Sequence, residues 1–180
     1  HPECFSIAFA ACLLVSRFSM TQVAFRCENC YVRVICQENY SPGVKFMQAR
    51  VKWVEGLTFI GESASGHQIL MDGNSGDKAP SPMEMVLMAA GGCSAIDVVS
   101  ILQKGRQNVT NCEVKLTSER REEAPRLFTH INLHFIVTGK ELKDAAVSRA
   151  VDLSAEKYCS VALMLEKAVN ITHSYEVIEG

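Results

Sequence analysis

The stretch SPMEMVLMAAGGC, residues 81–93, decides the fold. Ser81 stands before Pro82, and Glu84 follows three residues after the serine. A serine hydroxyl ahead of a proline at the first helical position, answered by a glutamate one turn on, is a capping box, so a helix starts at Pro82. The apolar run continues through CSAIDVVSILQKG and stops near Gly105, with Lys104 close to the negative end of the helix dipole. The segment is apolar nearly all round over residues 83–95, which predicts a helix buried on most sides. Gly91 and Gly92 each cost a helix interior about 1 kcal/mol relative to alanine. Such a pair predicts close approach of another backbone, and Cys93 follows it directly.

Upstream of this helix, residues 49–54 alternate apolar and polar as a half-buried strand does. Glu55-Gly56 reads as a turn, and residues 57–60 and 68–71 as two further short strands. The Gly-, Asp-, Asn- and Ser-rich segment 72–81 is expected to be an exposed, mobile loop. Downstream, residues 109–119 and 127–137 alternate with Cys112, Val114 and Leu116 on one face and Leu127, Thr129, Ile131, Leu133 and Phe135 on another. These two segments predict an antiparallel hairpin. Residues 141–158 carry helical spacing through Leu142, Ala145, Ala146, Arg149, Ala150 and Leu153. Cys159 then opens a second helix or kinked continuation, with Val161, Leu165 and Ala168 in helical register. Residues 171–178 close the chain as a strand. The order βββ-α-ββ-αα-β is α+β, not an alternating doubly wound fold.

Composition narrows the class. The chain has 180 residues, 48% hydrophobic and 21% charged, with a net charge of −2. It is long enough for one self-sufficient core, and near-neutral charge leaves no electrostatic footprint for nucleic acid. No uninterrupted apolar run approaches the ~18 residues of a membrane helix, so no membrane partner is expected. Of 8 cysteines, Cys4, Cys12, Cys27, Cys30 and Cys36 precede Met47. Cys93, Cys112 and Cys159 are too sparse for a disulfide framework and read as reduced thiols of a cytoplasmic protein.

Residues 1–46 differ in texture from the rest. Residues 5–15 form an apolar run of signal-peptide length, but no Lys or Arg precedes it. Cys27-Glu28-Asn29-Cys30 lacks the second pair that a structural zinc site wants. Residues 1–46 are therefore expected to be an N-terminal extension outside the domain, with Met47 the natural start of a domain spanning 47–180.

Residues 81–93, with Pro followed by an acidic residue at the start of a cysteine-bearing helix, resemble the first motif of the OsmC/Ohr family. A-E-K-Y-C-S-V, residues 155–161, resembles the segment bearing that family's second cysteine, and the element order over 47–180 matches too. The resemblance implies an OsmC-like α+β fold, with a long buried central helix in an intertwined homodimer. It further implies thiol-dependent reduction of organic hydroperoxides in an oxidative stress response. Cys93 would be the peroxidatic thiol and Cys159 the resolving one, with an external dithiol as reductant and no cofactor. The family pairs an arginine and a glutamate at the attacking thiolate. Here residues 56–72 hold no arginine, Met83 follows Pro82, and Glu84 comes one residue later, so Glu84 is either a site residue or a capping residue only. Arg50, Lys52 and Lys78 are the nearest cations in sequence, Ser160 replaces the proline frequent after the second cysteine, and turnover is expected to be weak.

The residues admit blander readings. Free cysteine is among the most buried residue types, and Cys112 in particular reads as core. His130 and His134, four apart on a strand, are too distant for a tight metal site without a third partner. They and His67 read as surface or hydrogen-bonded histidines, and no metal site is assigned. Three functions stay open: a thiol peroxidase, a non-catalytic dimer binding a small apolar ligand at the interface near Cys93, and a stress-associated protein without chemistry of its own.

Overall fold

The computed structural model describes residues 47–74 and 76–180, together with the strand backbones Val23–Cys27 and Cys30–Val34. The apolar run 5–15 and Cys36 lie outside the described residues. The chain divides into two compact units, His1–Met47 and Gln48–Gly180. In the first, strands β1 (Val23–Cys27) and β2 (Cys30–Val34) pair antiparallel with Cys27 opposite Cys30. The sequence reading assigned no strands there.

The second unit begins with β3 (Ala49–Glu55), β4 (Thr58–Ser63) and β5 (Gln68–Asp72), an antiparallel sheet in that order. Gly56 takes a φ of 51° in the β3–β4 turn, a backbone region that costs a Cβ-bearing residue energy. The expectation of a half-buried β3 is corrected: every residue of β3 is exposed in the single chain. Val51 and Trp53 are 62% and 60% exposed. The alternation is real, but among the described residues no element of its own unit covers either face of β3.

The loop after β5 also differs from expectation. Asp72 is buried, and its carboxylate accepts hydrogen bonds from the Asn74 N–H at 2.8 Å and the Lys78 N–H at 2.9 Å. One side chain thus organises a loop whose composition alone suggests mobility. These two N–H groups hold the carboxyl below its usual range, against the opposing effect of burial.

Helix α1 (Pro82–Lys104) starts as the sequence predicts. The Ser81 hydroxyl accepts from the Glu84 N–H, while the Glu84 carboxylate accepts from the Ser81 N–H at 2.7 Å. By length and composition α1 could cross a membrane. Its inner face, with Ala90, Gly91, Ser94, Val98 and Leu102, is instead buried, and the helix packs on β6 (Asn108–Arg120). Its opposite face is open in the single chain: Met88 is 50% and Ile96 71% exposed. The glycine pair divides between these faces. A Cβ on Gly91 would lie 2.6 Å from Leu116 Cδ1, whereas one on Gly92 would meet nothing within 4 Å. The close neighbour at Gly91 is therefore a side chain, not the backbone the sequence suggests.

β6 pairs antiparallel with β7 (Phe128–Lys140), which pairs parallel with β8 (Asn170–Glu179). Cys112, Val114 and Leu116 face the core as expected. On β7 the buried side is Ile131, Leu133, Phe135 and Val137, but it begins with Phe128 rather than Leu127 and Thr129. The register shift between Glu119 and Arg120 leaves Thr129 without a partner, and one extra residue reverses the inside–outside alternation.

A parallel β7–β8 pair needs a crossover, which α2 (Asp144–Leu153), a π turn (Ser154–Tyr158) and α3 (Ser160–Leu165) supply. α2 starts at Asp144 rather than Glu141, and its buried residues are Val147, Ala150 and Val151, with Arg149 outside. The predicted face is rotated because an arginine charge is costly to bury unpaired. α3 ends at Leu165, so Ala168 lies beyond it. Tyr175 of β8 donates to Asp144 and His173 meets Asp152 at 3.1 Å, which ties the crossover to the sheet.

Candidate functional site

The crossover delivers Cys159 to α1. The π turn Ser154–Tyr158 inserts extra backbone at the end of α2, and Cys159 then turns extended, with φ −69° and ψ 98°. Its sulfur accepts from the Ala162 N–H at 3.4 Å, capping α3, and its thiol lies 4.0 Å from the Ala90 carbonyl oxygen. Ser154 donates to the Ser94 carbonyl at 3.3 Å and lies 3.5 Å from Asp97 Oδ2. These contacts pin the crossover against the middle of α1.

Cys93 sits on α1 between Ala90 and Asp97. The sulfurs of Cys93 and Cys159 and a carboxylate oxygen of Asp97 all lie within 4.8 Å of one another. Cys159 is fully buried, while Cys93 and Asp97 are half-buried. Both cysteines carry free thiols. Burial is the main cause that pushes the Cys93 thiol above its ordinary pKa. A hydrogen bond from the Val161 N–H opposes it, and the neighbouring Cys159 and Asp97 push the same way as burial. No cation contributes among the described residues.

Glu84, the third residue singled out from sequence, is not brought to this cluster. It lies nine residues before Cys93 on the same helix, about 13–14 Å away along the axis. Its exposed carboxylate is held below the usual range first by the Ser81 hydroxyl and then by the Ser81 N–H. Arg50 pairs with Glu62 at 2.9 Å and Lys78 with Glu55 at 2.7 Å. Arg50 and Lys78 are thus engaged with carboxylates of the β3–β5 sheet, and Lys52 lies on β3.

The histidines follow the blander reading. His130 meets the Thr172 hydroxyl and His134 the Ser174 hydroxyl, each at 2.8 Å, while His67 meets Ser65 at 3.1 Å. Cys112 is half-buried, and burial pushes its thiol up. Asp97 is the residue that sequence reading missed. Its signal was present: it follows Cys93 by four positions, hence on the same helix face. Ser154 and the Val161 N–H carry no comparable signal. The cluster can form a disulfide, move a proton between thiol and carboxylate, or offer three ligands to a cation.

A thiol on a central helix, facing a second thiol across a helix junction in an α+β frame, defines a dithiol protein. The chain belongs to the OsmC-like family: the family model described as OsmC-like protein matches residues 75–174. Over 132 residues it is 94% identical to Protein YhfA of Escherichia coli strain K12, covering 73% of this chain and 98% of that protein. A crystal structure of a hypothetical protein from Aquifex aeolicus shares 31% identity at a TM-score of 0.70, over 76% of this chain and 99% of that one. The organic hydroperoxide resistance protein OsmC from Legionella pneumophila has the same fold at 15% identity. Its TM-score is 0.57, over 74% of this chain and 98% of that one. The expected α+β OsmC-like architecture is therefore the one observed.

Proposed function

We propose that residues 47–180 form a homodimeric, thiol-dependent reductase of organic hydroperoxides in the cytoplasm, serving an oxidative stress response. The observation that carries this reading is the approach of the Cys93 and Cys159 sulfurs to within 4.8 Å. The name of the Legionella pneumophila protein, which carries the same fold, supports the choice of substrate. Cys93 attacks the peroxide O–O bond as its thiolate, becoming a sulfenic acid while the alcohol leaves with a proton. Cys159 then attacks the sulfenic sulfur, forming a disulfide and releasing water. An external dithiol returns both thiols and is itself oxidised to a disulfide. Cys159 suits the resolving role because it is fully buried and its sulfur lies within 4.8 Å of the Cys93 sulfur.

The dimer is inferred from two uncovered surfaces. One is the α1 face with Met88 and Ile96, and the other is β3 with Val51 and Trp53. Exposed apolar area of this extent marks an interface. A second copy wrapping its β3–β5 sheet over α1 would cover both. Sedimentation at micromolar concentration should give twice the chain mass, and a stable monomer overturns the dimer.

Turnover is slow, because burial raises the Cys93 thiol pKa with no cation of the described residues opposing it, and such a thiol is mostly protonated at neutral pH. A stoichiometric dose of an organic hydroperoxide should convert the pair to a Cys93–Cys159 disulfide. Cys93→Ser should abolish consumption, and Cys159→Ser should stop after one equivalent with a trapped sulfenate. Consumption unaffected by Cys93→Ser would eliminate this mechanism. Rates equal to free thiol in the unmutated protein would favour the second reading, a non-catalytic dimer holding a small apolar molecule. The open groove along Ala95, Ile96 and Val99 supports that alternative.

A further inference from the structure

We propose that Cys93, Asp97 and Cys159 form a binding site for a thiophilic divalent cation, zinc by its chemistry. Their three ligand atoms lie within 4.8 Å of one another, on side chains that are buried or half-buried. Tetrahedral bonds of about 2.3 Å to sulfur and 2.1 Å to oxygen place ligands some 3.6–3.8 Å apart, so closure by about 1 Å completes the set. Two thiolates and one carboxylate suit zinc over magnesium or calcium, which want all-oxygen shells. Three protein ligands leave a fourth position for water or a small molecule.

The surroundings fit a ligand set. The Val161 N–H points to the Cys93 sulfur and the Ala162 N–H donates to the Cys159 sulfur at 3.4 Å. The Ser154 hydroxyl lies 3.5 Å from Asp97 Oδ2. Such outer contacts orient metal ligands and hold negative charge on sulfur. With both thiols ionised, three negative charges converge, and no cationic side chain acts on Cys93 among the described residues. A divalent cation supplies the missing counter-charge.

Binding replaces two thiol protons, so each cation taken up releases two protons. The bound cation also withholds both thiols from chemistry. The consequence for regulation rests on the proposed peroxidase reading. There, one hydroperoxide and two protons would convert the zinc-bound pair to a disulfide, an alcohol and water, expelling the cation.

The test uses the full chain with Cys4, Cys12, Cys27, Cys30 and Cys36 replaced by serine, reduced and stripped of metal. Zinc titrated against a chromogenic chelator should bind once per chain with Kd below about 1 μM and release two protons at pH 7. Cadmium should give a thiolate charge-transfer band in the ultraviolet. Asp97→Asn should weaken binding at least ~10-fold, Cys93→Ser and Cys159→Ser should abolish it, and Cys112→Ser should leave it unchanged. The same protein carrying the Cys93–Cys159 disulfide should bind no zinc, a control that requires no further substitution. Failure to bind, or binding indifferent to Asp97→Asn and to oxidation, overturns the site. Hydroperoxide turnover without zinc binding sinks this inference alone. Zinc binding without turnover supports it and sinks the peroxidase reading.

Discussion

Replacing Gly91 by alanine sets a gain in helix propensity against a clash at a known neighbour. Alanine favours a helix interior over glycine by about 1 kcal/mol. The new Cβ, however, would stand 2.6 Å from Leu116 Cδ1 and 3.4 Å from its Cγ and Cδ2. Overpacking of this kind costs about 1–3 kcal/mol, so Gly91→Ala should destabilise by roughly 1 kcal/mol net. Leu116→Ala alone empties a half-buried site and should cost about 2 kcal/mol, the low end for such truncations. With both changes the clash disappears, the new methyl fills part of the vacated space, and the propensity gain is realised. The double variant should then lose only about 1 kcal/mol, against about 3 if the two changes were independent, a coupling near 2 kcal/mol. Urea unfolding followed by helical ellipticity, at one fixed protein concentration, measures all four species. Additivity within about 0.5 kcal/mol would refute the assignment of Gly91 to the face packed on β6.

Three further outcomes follow from the same geometry. Burial first, then the neighbouring thiol and carboxylate, raises the Cys93 pKa, so alkylation of Cys93 should be slower than that of free cysteine at neutral pH. Its rate should keep rising with pH above the ordinary thiol range. Peptide mapping with iodoacetamide reads it, and faster-than-cysteine labelling at pH 7 contradicts the assignment. Asp72 is held below its usual pKa by N–H groups of Lys78 and Asn74, so its contribution to stability is present above the unfolded value near 3.8 and is lost as pH falls through the lower folded value. Asp72→Ala should expose residues 73–80 to proteolysis already at pH 7, while the unmodified loop should yield only in strong acid; equal cleavage of both at pH 7 counts against the Asp72 anchor. Deletion of residues 1–46 should leave the melting temperature of the rest within a few degrees, and loss of folding would show that they belong to the domain.

Much of this protein was legible in its sequence because the signals were local. The capping box at Ser81 and Glu84, the alternation of Cys112, Val114 and Leu116, and the element order all depend on neighbours within a turn or a strand. Sequence and structure part where one residue changes parity or where the neighbour is distant in the chain. The unpaired Thr129 turns Phe128 inward, a reversal decided by register against β6. The inner face of α2 is chosen by Val147 and Val151, since Arg149 seeks water.

The two thiol motifs named the candidates by themselves, but their separation in the chain left contact open. Tertiary structure decided that contact: the π turn at Ser154–Tyr158 carries Cys159 onto the middle of α1, beside Cys93. It also added Asp97, whose place on the helix face of Cys93 was readable but whose meaning was not until Cys159 arrived. It left Glu84 at the cap, one helix turn after another away from the sulfur. Helical period and capping are set by nearest neighbours along the chain, whereas convergence of side chains depends on how the crossover from β7 to β8 packs.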